Sequence, residues 1–390
     1  QLQQQVNKFG NSLKEAGVEP QDRVGIRLVN SPQAVVTIFA IEKIGAIPVP
    51  TSPLWSAEEV AFVANDSEMK FFVVNAPLVA PVEQAKPNLE HGTKVIVIGG
   101  DPGEVKGASN RVYEEMLEAG SAELEPTMLK ADDIGIMLYT SGTTGMPKGC
   151  VHFVRPAVIE ARIVNKYVYK MEPGDVLGGA APVSFAAGFG TFTLLPFEGG
   201  AAISLIPKFT PPDMMDLIQK HKITILTGLP TGYRALMKFP AFKDYDISSV
   251  RLFTSGGDAL GAETLKGWEA LTGKPIWEGL GGTEMLHLVT SNTMNPEPVP
   301  DSIGKPLPGV EVRVIDEDGN DCKPNEVGSM ILKGASGTLY WKPYVDDERL
   351  LKSQKKGVVN GWNQMGDAVF FKEDGNICFV SREDDMIKSS

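Results

Sequence analysis

The amino-acid sequence predicts an α/β fold, with two doubly wound α/β lobes followed by a small antiparallel, β-barrel-like lobe. Two observations lead to this prediction. Over the first two-thirds of the chain, short apolar runs alternate with amphipathic stretches, a pattern typical of parallel sheets covered by helices on both faces. After Met294 and the proline-rich segment 295–300, strand-like runs are joined by Asp-Gly-Asn turns, which favours antiparallel hairpins.

Local patterns place the individual elements. The spacing of Val6, Phe9 and Leu13 predicts a first helix that ends at Gly17. Ser31 followed by Pro32 predicts the start of a second helix that runs to about Ile44 and ends at Gly45. Apolar runs predict strands at 24–29, 71–74, 94–98, 134–139, 223–227 and 252–255, and hairpin strands at 310–315, 328–333, 368–372 and 377–380. We therefore expect the two α/β lobes over residues 1–294, divided near 130, and the antiparallel lobe over 295–381.

Composition narrows the functional class. The 390 residues are 42% hydrophobic and carry a net charge of −12, which argues against a nucleic-acid-binding protein. The three cysteines have no metal-type spacing, so we expect no disulfide framework and a cytoplasmic location. No apolar stretch reaches the ~20 residues of a membrane helix, so we expect no stable membrane insertion. Whether the protein forms a homo-oligomer stays open at this point.

The segment 139–149 is rich in glycine and hydroxyl groups and directly follows a predicted strand. Glycines let the backbone approach an anion closely, and hydroxyl groups and a lysine add donors and positive charge. This composition predicts a phosphate-binding loop that differs from the P-loop of kinases and GTPases. Its predicted phosphate ligands are Thr140, Ser141, Gly142, Thr143, Thr144, Gly145 and Lys148.

This segment resembles the signature loop of the adenylate-forming superfamily, which comprises acyl-CoA synthetases, firefly-type luciferases and peptide-synthetase adenylation domains. The superfamily's other motifs follow in the same order, and the resemblance covers essentially all 390 residues. The segment 277–284 is similar to the second motif. The resemblance implies that Thr283 contacts the α-phosphate, that Glu284 is a Mg²⁺ ligand, and that Lys148 joins them as a catalytic residue.

Three further segments match the nucleotide-binding and hinge motifs. The segment 255–260 resembles the adenine-binding turn, Gly366-Asp367 resembles the ribose motif, and 381–388 resembles the hinge, with its pivot at Asp384. The resemblance implies adenine and ribose contacts from Gly257, Asp258, Ala259, Glu278, Gly279, Leu280, Asp367 and Arg382. It also implies that residues 382–390 lead to a C-terminal domain that lies outside this chain.

The segments 182–190 and 283–287 are most similar to benzoate and 2-aminobenzoate CoA ligases. This similarity implies an acyl pocket lined by Phe185, Ala186, Ala187, Gly281, His287 and Leu288. Ala187 is a departure, because those ligases tend to carry tyrosine or phenylalanine there. The smaller side chain predicts a larger pocket that admits substituted benzoates, arylacetates or medium-chain acids.

The resemblance therefore implies an AMP-forming acid–CoA ligase that uses ATP, Mg²⁺ and coenzyme A to convert an aromatic carboxylic acid into an acyl-adenylate and then a thioester. Two alternatives keep the adenylation chemistry: an enzyme that loads a carrier-protein thiol, and a medium-chain acyl-CoA ligase. A third is a catalytically inactive nucleotide-binding module. Intact Lys148, Glu284 and Asp367 argue against the third.

Overall fold

The computed structural model describes residues 1–107, 110–140, 146–334, 339–340 and 357–382. Among these residues the chain forms two compact units. The first unit comprises residues 1–157 and 182–189 together with the short strand 339–340. The second comprises residues 158–181 and the described residues from 190 onward, apart from that strand.

Helices and strands alternate from the start of the chain. The elements up to residue 164 are α1 (Leu2–Glu15), β1 (Arg23–Arg27), α2 (Pro32–Lys43), β2 (Ile47–Pro50), α3 (Ala57–Asp66), β3 (Phe71–Asn75), α4 (Ala80–Ala85), β4 (Lys94–Ile98), α5 (Pro102–Gly107), β5 (Arg111–Val112), α6 (Tyr113–Ala119), β6 (Ile134–Thr140), β7 (Lys148–Phe153) and α7 (Val154–Val164).

A π-helical turn (Asn165–Tyr169) follows, and a second one (Gly190–Leu194) continues α8. The remaining elements are β8 (Val176–Gly179), α8 (Ala186–Phe189), α9 (Leu195–Gly199), β9 (Ala202–Leu205), α10 (Pro211–His221), β10 (Ile225–Gly228), α11 (Pro230–Met237), β11 (Leu252–Ser255), α12 (Ala262–Thr272), β12 (Ile276–Gly281), β13 (Leu288–Ser291), β14 (Lys305–Pro306), β15 (Glu311–Ile315), β16 (Gly328–Lys333), β17 (Leu339–Tyr340), β18 (Val358–Val359), β19 (Trp362–Phe371) and β20 (Ile377–Arg382).

The first unit contains a parallel sheet with strand order β2-β1-β3-β4-β5. Its strands are apolar and largely buried, because helices cover a parallel sheet on both faces. Helix α2 begins as predicted: the Ser31 hydroxyl oxygen accepts a hydrogen bond from the Ala34 amide, and Pro32 occupies the first turn. Gly45 follows the helix with φ +77°, a left-handed conformation that glycine adopts at little cost.

The strands flanking the predicted phosphate loop form an antiparallel hairpin, β6 with β7, to which β17 adds on the outer side of β7. The expectation of parallel sheets throughout this part of the chain is therefore wrong at this point. The physical reason is the length of the connection. A parallel crossover needs a dozen or more residues, and only the segment 141–147 separates the two strands.

The second unit contains a seven-stranded sheet with order β14-β13-β12-β11-β10-β8-β9. The strands from β12 to β9 in that order are parallel, whereas β13 and β14 are antiparallel additions at one edge. Its core includes Trp268 on α12, which lies 5.1 Å from the Phe253 ring and 4.9 Å from the Tyr233 ring between centroids. This packing fixes the ends of β10, β11 and β12, where the predicted nucleotide motifs lie.

A separate antiparallel sheet follows in the same unit, with order β15-β16-β19-β18 and β20 paired to β19. Together with the two parallel sheets it confirms the predicted fold class. Strand β19 is longer than the predicted strand 368–372, since it starts at Trp362 and runs through Gly366. In the described part of the chain, no helix has the length and apolar character to cross a membrane.

Candidate active site

Two glycine-rich turns of the second unit lie side by side at the carboxyl ends of adjacent parallel strands. Ser255, the last residue of β11, is in register with Glu278 of β12. A Cβ atom on Gly256 would lie 3.1 Å from the carbonyl oxygen of Gly279, and Gly257 has φ +84°. Larger residues would separate the turns or strain the backbone. The two segments predicted to bind adenine are thus brought together.

Glu278 connects these two turns. Its carboxylate oxygen Oε1 accepts a 2.8 Å hydrogen bond from the amide of Leu260, at the far end of the first turn. Burial raises the pKa of Glu278 to about 7, and the charges of Asp301 and Asp258 add to the effect of burial. Near neutral pH the carboxyl group can therefore offer a purine either an acceptor or a donor. The neighbouring predicted adenine contacts, Asp258 and Ala259, are exposed.

Thr283 and Glu284 lie on a single 3-10 turn, Thr283–Met285, that follows β12. The backbone before this turn is tightly confined. A Cβ atom on Gly281 would lie 2.0 Å from the His287 carbonyl oxygen, and one on Gly282 would lie 2.5 Å from the Met365 methyl carbon. Leu286, with φ +70°, then redirects the chain into β13. The close packing at the two glycines thus fixes the backbone position of Thr283 and Glu284.

Glu284 is the residue of this turn that could hold a magnesium ion, because its carboxylate is partly exposed. The described residues contain no cluster of three or more histidine, cysteine, aspartate or glutamate side chains that could hold a metal ion. Mg²⁺ commonly binds to one or two carboxylates, with substrate phosphates and water completing the shell.

Asp367 and Arg382, predicted to contact the ribose and the nucleotide, form an ion pair across strands β19 and β20. Arg382 Nη1 donates to Asp367 Oδ1 at 2.6 Å. The aspartate side chain is 4% exposed, whereas the arginine side chain is 51% exposed. Gly366, with φ +70°, precedes the aspartate, and a Cβ atom there would lie 3.3 Å from Arg382 Nη2. The ion pair thus fixes a buried carboxylate beneath an exposed guanidinium group.

Three of the predicted acyl-pocket residues are adjacent in the second unit. Gly281 is in register with Leu288, and His287 lies between the 3-10 turn and β13. The His287 ring is buried, with its Nε2 atom 3.3 Å from the Thr191 hydroxyl oxygen. A buried imidazole with one nitrogen engaged by a hydroxyl group has a defined orientation, which is suited to selecting a substrate.

The other predicted acyl residues belong to the first unit. Phe185 and Ala187 are exposed and Ala186 is buried at the start of α8. The segment is held by the amide of Val183, which donates to Asn30 Oδ1 at 2.9 Å. Sequence reasoning missed Asn30, because no local pattern links residues 153 positions apart.

The predicted phosphate ligands also belong to the first unit. Thr140 and Lys148 are paired directly across the β6–β7 hairpin. The Thr140 Oγ1 atom is buried and has no hydrogen-bond partner among the described residues. Ser141, Gly142, Thr143, Thr144 and Gly145 lie outside the described residues, as does the predicted hinge residue Asp384.

Comparison with known proteins identifies the family of the chain. The model of the AMP-binding enzyme family matches residues 1–340. The chain is 30% identical over 397 residues to a benzoate–CoA ligase of Thauera aromatica, covering 100% of the chain and 72% of that relative. It is 29% identical over 393 residues to a 3-hydroxybenzoate–CoA/4-hydroxybenzoate–CoA ligase of the same organism, covering 100% of the chain and 73% of the relative.

Solved structures give the same result. A crystal structure of an anthranilate CoA ligase in complex with anthranoyl-AMP matches with a TM-score of 0.93 at 29% identity, covering 100% of this chain and 74% of that one. A benzoate CoA ligase from Burkholderia xenovorans matches with a TM-score of 0.87 at 26% identity, covering 99% of this chain and 75% of that one. The resemblance drawn from the sequence motifs is confirmed: the chain belongs to the family of AMP-binding enzymes.

Proposed function

We propose that this protein is an AMP-forming aromatic acid–CoA ligase. In the first reaction an aromatic carboxylate and ATP give an aryl-adenylate and pyrophosphate. In the second, coenzyme A replaces AMP and an aryl-CoA thioester is released. The curated relatives cited above are named for benzoate and hydroxybenzoates, and one matching structure contains anthranoyl-AMP.

One observation carries the proposal. The second unit brings the paired glycine turns, the Thr283–Glu284 turn and the buried His287 into one continuous stretch of structure around β12 and β13. The glycine turns fit a flat purine, the Thr283–Glu284 turn fits a metal-bound phosphate, and His287 fits an aromatic acid. An enzyme that joins an acid to AMP needs these three functions side by side.

In the first reaction a carboxylate oxygen of the acid forms a bond to the α-phosphorus, and the bond from that phosphorus to the pyrophosphate oxygen breaks. Mg²⁺, held by Glu284, would neutralise phosphate charge when bound. Thr283 would donate to the α-phosphate, while Thr140 and Lys148 would bind the departing pyrophosphate. The protein's contribution is mainly orientation and charge neutralisation. Asp367 and Glu278 would hold the ribose and adenine in place.

In the second reaction the sulfur of the CoA thiolate attacks the carbonyl carbon of the mixed anhydride. The bond from this carbon to the phosphate oxygen breaks, and AMP leaves with the electron pair. Rotation about a hinge at Asp384 would exchange the groups that serve the two reactions, a change typical of enzymes that use domain movement. We assign the reactions to the cytoplasm, where Cys150, Cys322 and Cys378, which form no disulfide, would stay reduced.

The test is thioester formation by the full-length protein with a panel of acids: benzoate, 2-aminobenzoate, hydroxybenzoates, phenylacetate and hexanoate. We expect the highest kcat/KM for an aromatic acid, with stoichiometric release of AMP in the presence of CoA. A higher kcat/KM for hexanoate would make the protein a medium-chain ligase. Transfer to a carrier-protein thiol without transfer to CoA would show that the acceptor is a carrier protein.

A further inference from the structure

A buried hydroxyl group lies behind His287 in the second unit. Thr191, on the π-helical turn Gly190–Leu194, is 2% exposed, and its hydroxyl oxygen is 3.3 Å from His287 Nε2. His287 itself is 8% exposed. A threonine hydroxyl group inside a helix often donates to a backbone carbonyl oxygen of the same helix. The Thr191 hydroxyl group contacts an imidazole 96 residues away in the sequence, which indicates a specific tertiary interaction.

Gly190 brings this hydroxyl group close to the ring. A Cβ atom on Gly190 would lie 2.5 Å from His287 Cδ2 and 3.3 Å from its Nε2 atom, so the turn packs directly against the imidazole. Any other residue at this position would push the turn and the ring apart. Gly190 and Thr191 therefore act together, one by giving close approach and the other by giving the hydrogen bond.

The segment before this turn is buried as well. Tyr169 ends the π-helical turn Asn165–Tyr169 and is 2% exposed, and burial raises the pKa of its phenol. Thr191 thus lies in the buried interior of the second unit.

We propose that Thr191 is a positioning residue of the acyl site that fixes the orientation of the His287 ring and thereby sets the preference among aromatic acids. The inference rests on the proposed function, because His287 is assigned to the acyl pocket there. Thr191 does not contact the acid and acts through the imidazole.

The selectivity follows from the fixed orientation of the ring. An imidazole held in one orientation discriminates between a substrate that complements it and an isostere that does not. Without the Thr191 hydroxyl group the ring loses this hydrogen bond, and the discrimination weakens.

The first experiment compares Thr191→Val with Thr191→Ser, the matched control that keeps the hydroxyl group. The readout is the ratio of kcat/KM for 2-aminobenzoate over benzoate in pyrophosphate exchange. Because one hydrogen bond is at stake, we expect Thr191→Val to change this ratio by about threefold to tenfold. Thr191→Ser should stay within about twofold of the native ratio.

The same substitution in a His287→Ala background separates positioning from a general structural effect. We expect Thr191→Val to leave the ratio unchanged there, since the ring it orients is missing. Equal losses for both acids, or the same change of ratio with and without His287, would overturn the inference.

A second measurement depends on no acid. The chain has four histidines, so the imidazole ¹⁵N signals of His287 can be assigned by comparison with a His287→Gln variant. We expect the same His287 signals in the native protein and in Thr191→Ser, and shifted signals in Thr191→Val, which lacks the hydrogen bond to Nε2. Identical His287 signals in all three would refute the positioning role. Absence of aromatic acid activation by the native protein would refute the proposed function alone.

Discussion

At the scale of the single residue, the proposed acyl pocket predicts that Ala187 controls substrate size. It is exposed on α8, and its side chain is small. Ala187→Tyr should fill the space available to a para substituent or longer chain, since overpacking commonly costs ~1–3 kcal/mol. We expect kcat/KM to shift roughly tenfold to hundredfold toward unsubstituted benzoate relative to larger acids. Ala187→Ser, tested on the same acids, should leave the preference near native, and a uniform loss across all acids would show that position 187 does not face the acyl group.

Glu160 on α7 allows a prediction for stability at this same scale. It is buried, its Oε1 atom has no hydrogen-bond partner among the described residues, and burial raises its pKa from 4.5 to about 8. The folded state therefore retains a proton that the unfolded state releases, so this residue's contribution to stability is complete below pH 4.5 and is lost as the pH rises to about 8.

The variant Glu160→Gln removes this titration. Each pKa unit is worth about 1.4 kcal/mol, so the variant should unfold at a clearly higher temperature than the native protein at pH 9 and at a similar temperature at pH 5. Thermal unfolding at both pH values is the measurement. The variant Glu118→Gln, at an exposed position on α6, is the control for the substitution itself. An equal effect of Glu160→Gln at both pH values would contradict the assigned shift.

At the scale of the element, the turn between β12 and β13 is closely packed and carries residues to which the proposed function assigns roles. A Cβ atom on Gly281 would lie 2.0 Å from the His287 carbonyl oxygen, so Gly281→Ala must displace one of the two strands. We expect a melting temperature lower by several degrees and adenylation reduced at least tenfold, because Thr283, Glu284 and His287 follow directly. Gly232→Ala on α11, where the nearest atoms would be 3.6 Å away, is the matched control and should be neutral or stabilising. Native activity in Gly281→Ala would contradict the confinement of this turn.

Elements defined by local signals could be predicted from the sequence. Strands Lys94–Ile98, Leu252–Ser255 and Gly328–Lys333 have the predicted ends, because apolar runs and flanking turns mark them. Helix α2 follows from its Ser31 cap and Pro32. In contrast, the prediction of 368–372 is too short for β19, because the strand begins at Trp362 and accommodates Gly366 with φ +70°.

Features that depend on distant residues could not be predicted. The antiparallel pairing of β6 with β7 depends on the short link between them, and β13 and β14 join the sheet edge although nothing in their composition indicates direction. The contact of Thr191 with His287 joins residues 96 positions apart, and no pattern in the sequence indicates it. For the site, the motifs located Glu278, Glu284 and Asp367, and their assigned roles stay predictions.

At the scale of the whole molecule, the proposed function requires two reactions at one adenylate site, separated by a domain rotation. The predicted pivot, Asp384, lies outside the described residues. Because proline fixes φ near −65° and removes an amide donor, Asp384→Pro in the full-length protein should trap one domain orientation. We expect near-native pyrophosphate exchange with thioester formation reduced at least tenfold. Equal reduction of both reactions would show that Asp384 is not the pivot, and Asp384→Ala, which leaves the backbone free, is the control.

The central claim is that this protein forms an adenylate of an aromatic acid, with the Thr283–Glu284 turn at the phosphates. The most direct measurement is ATP–pyrophosphate exchange by the full-length protein and its Glu284→Gln variant, with benzoate or 2-aminobenzoate and without CoA. We expect exchange that requires both the acid and Mg²⁺. In a well-folded Glu284→Gln variant we expect the exchange rate to fall by at least two orders of magnitude, because metal-ion catalysis is worth several kcal/mol. Exchange without any acid, no exchange with any aromatic acid, or near-native exchange in Glu284→Gln would contradict it.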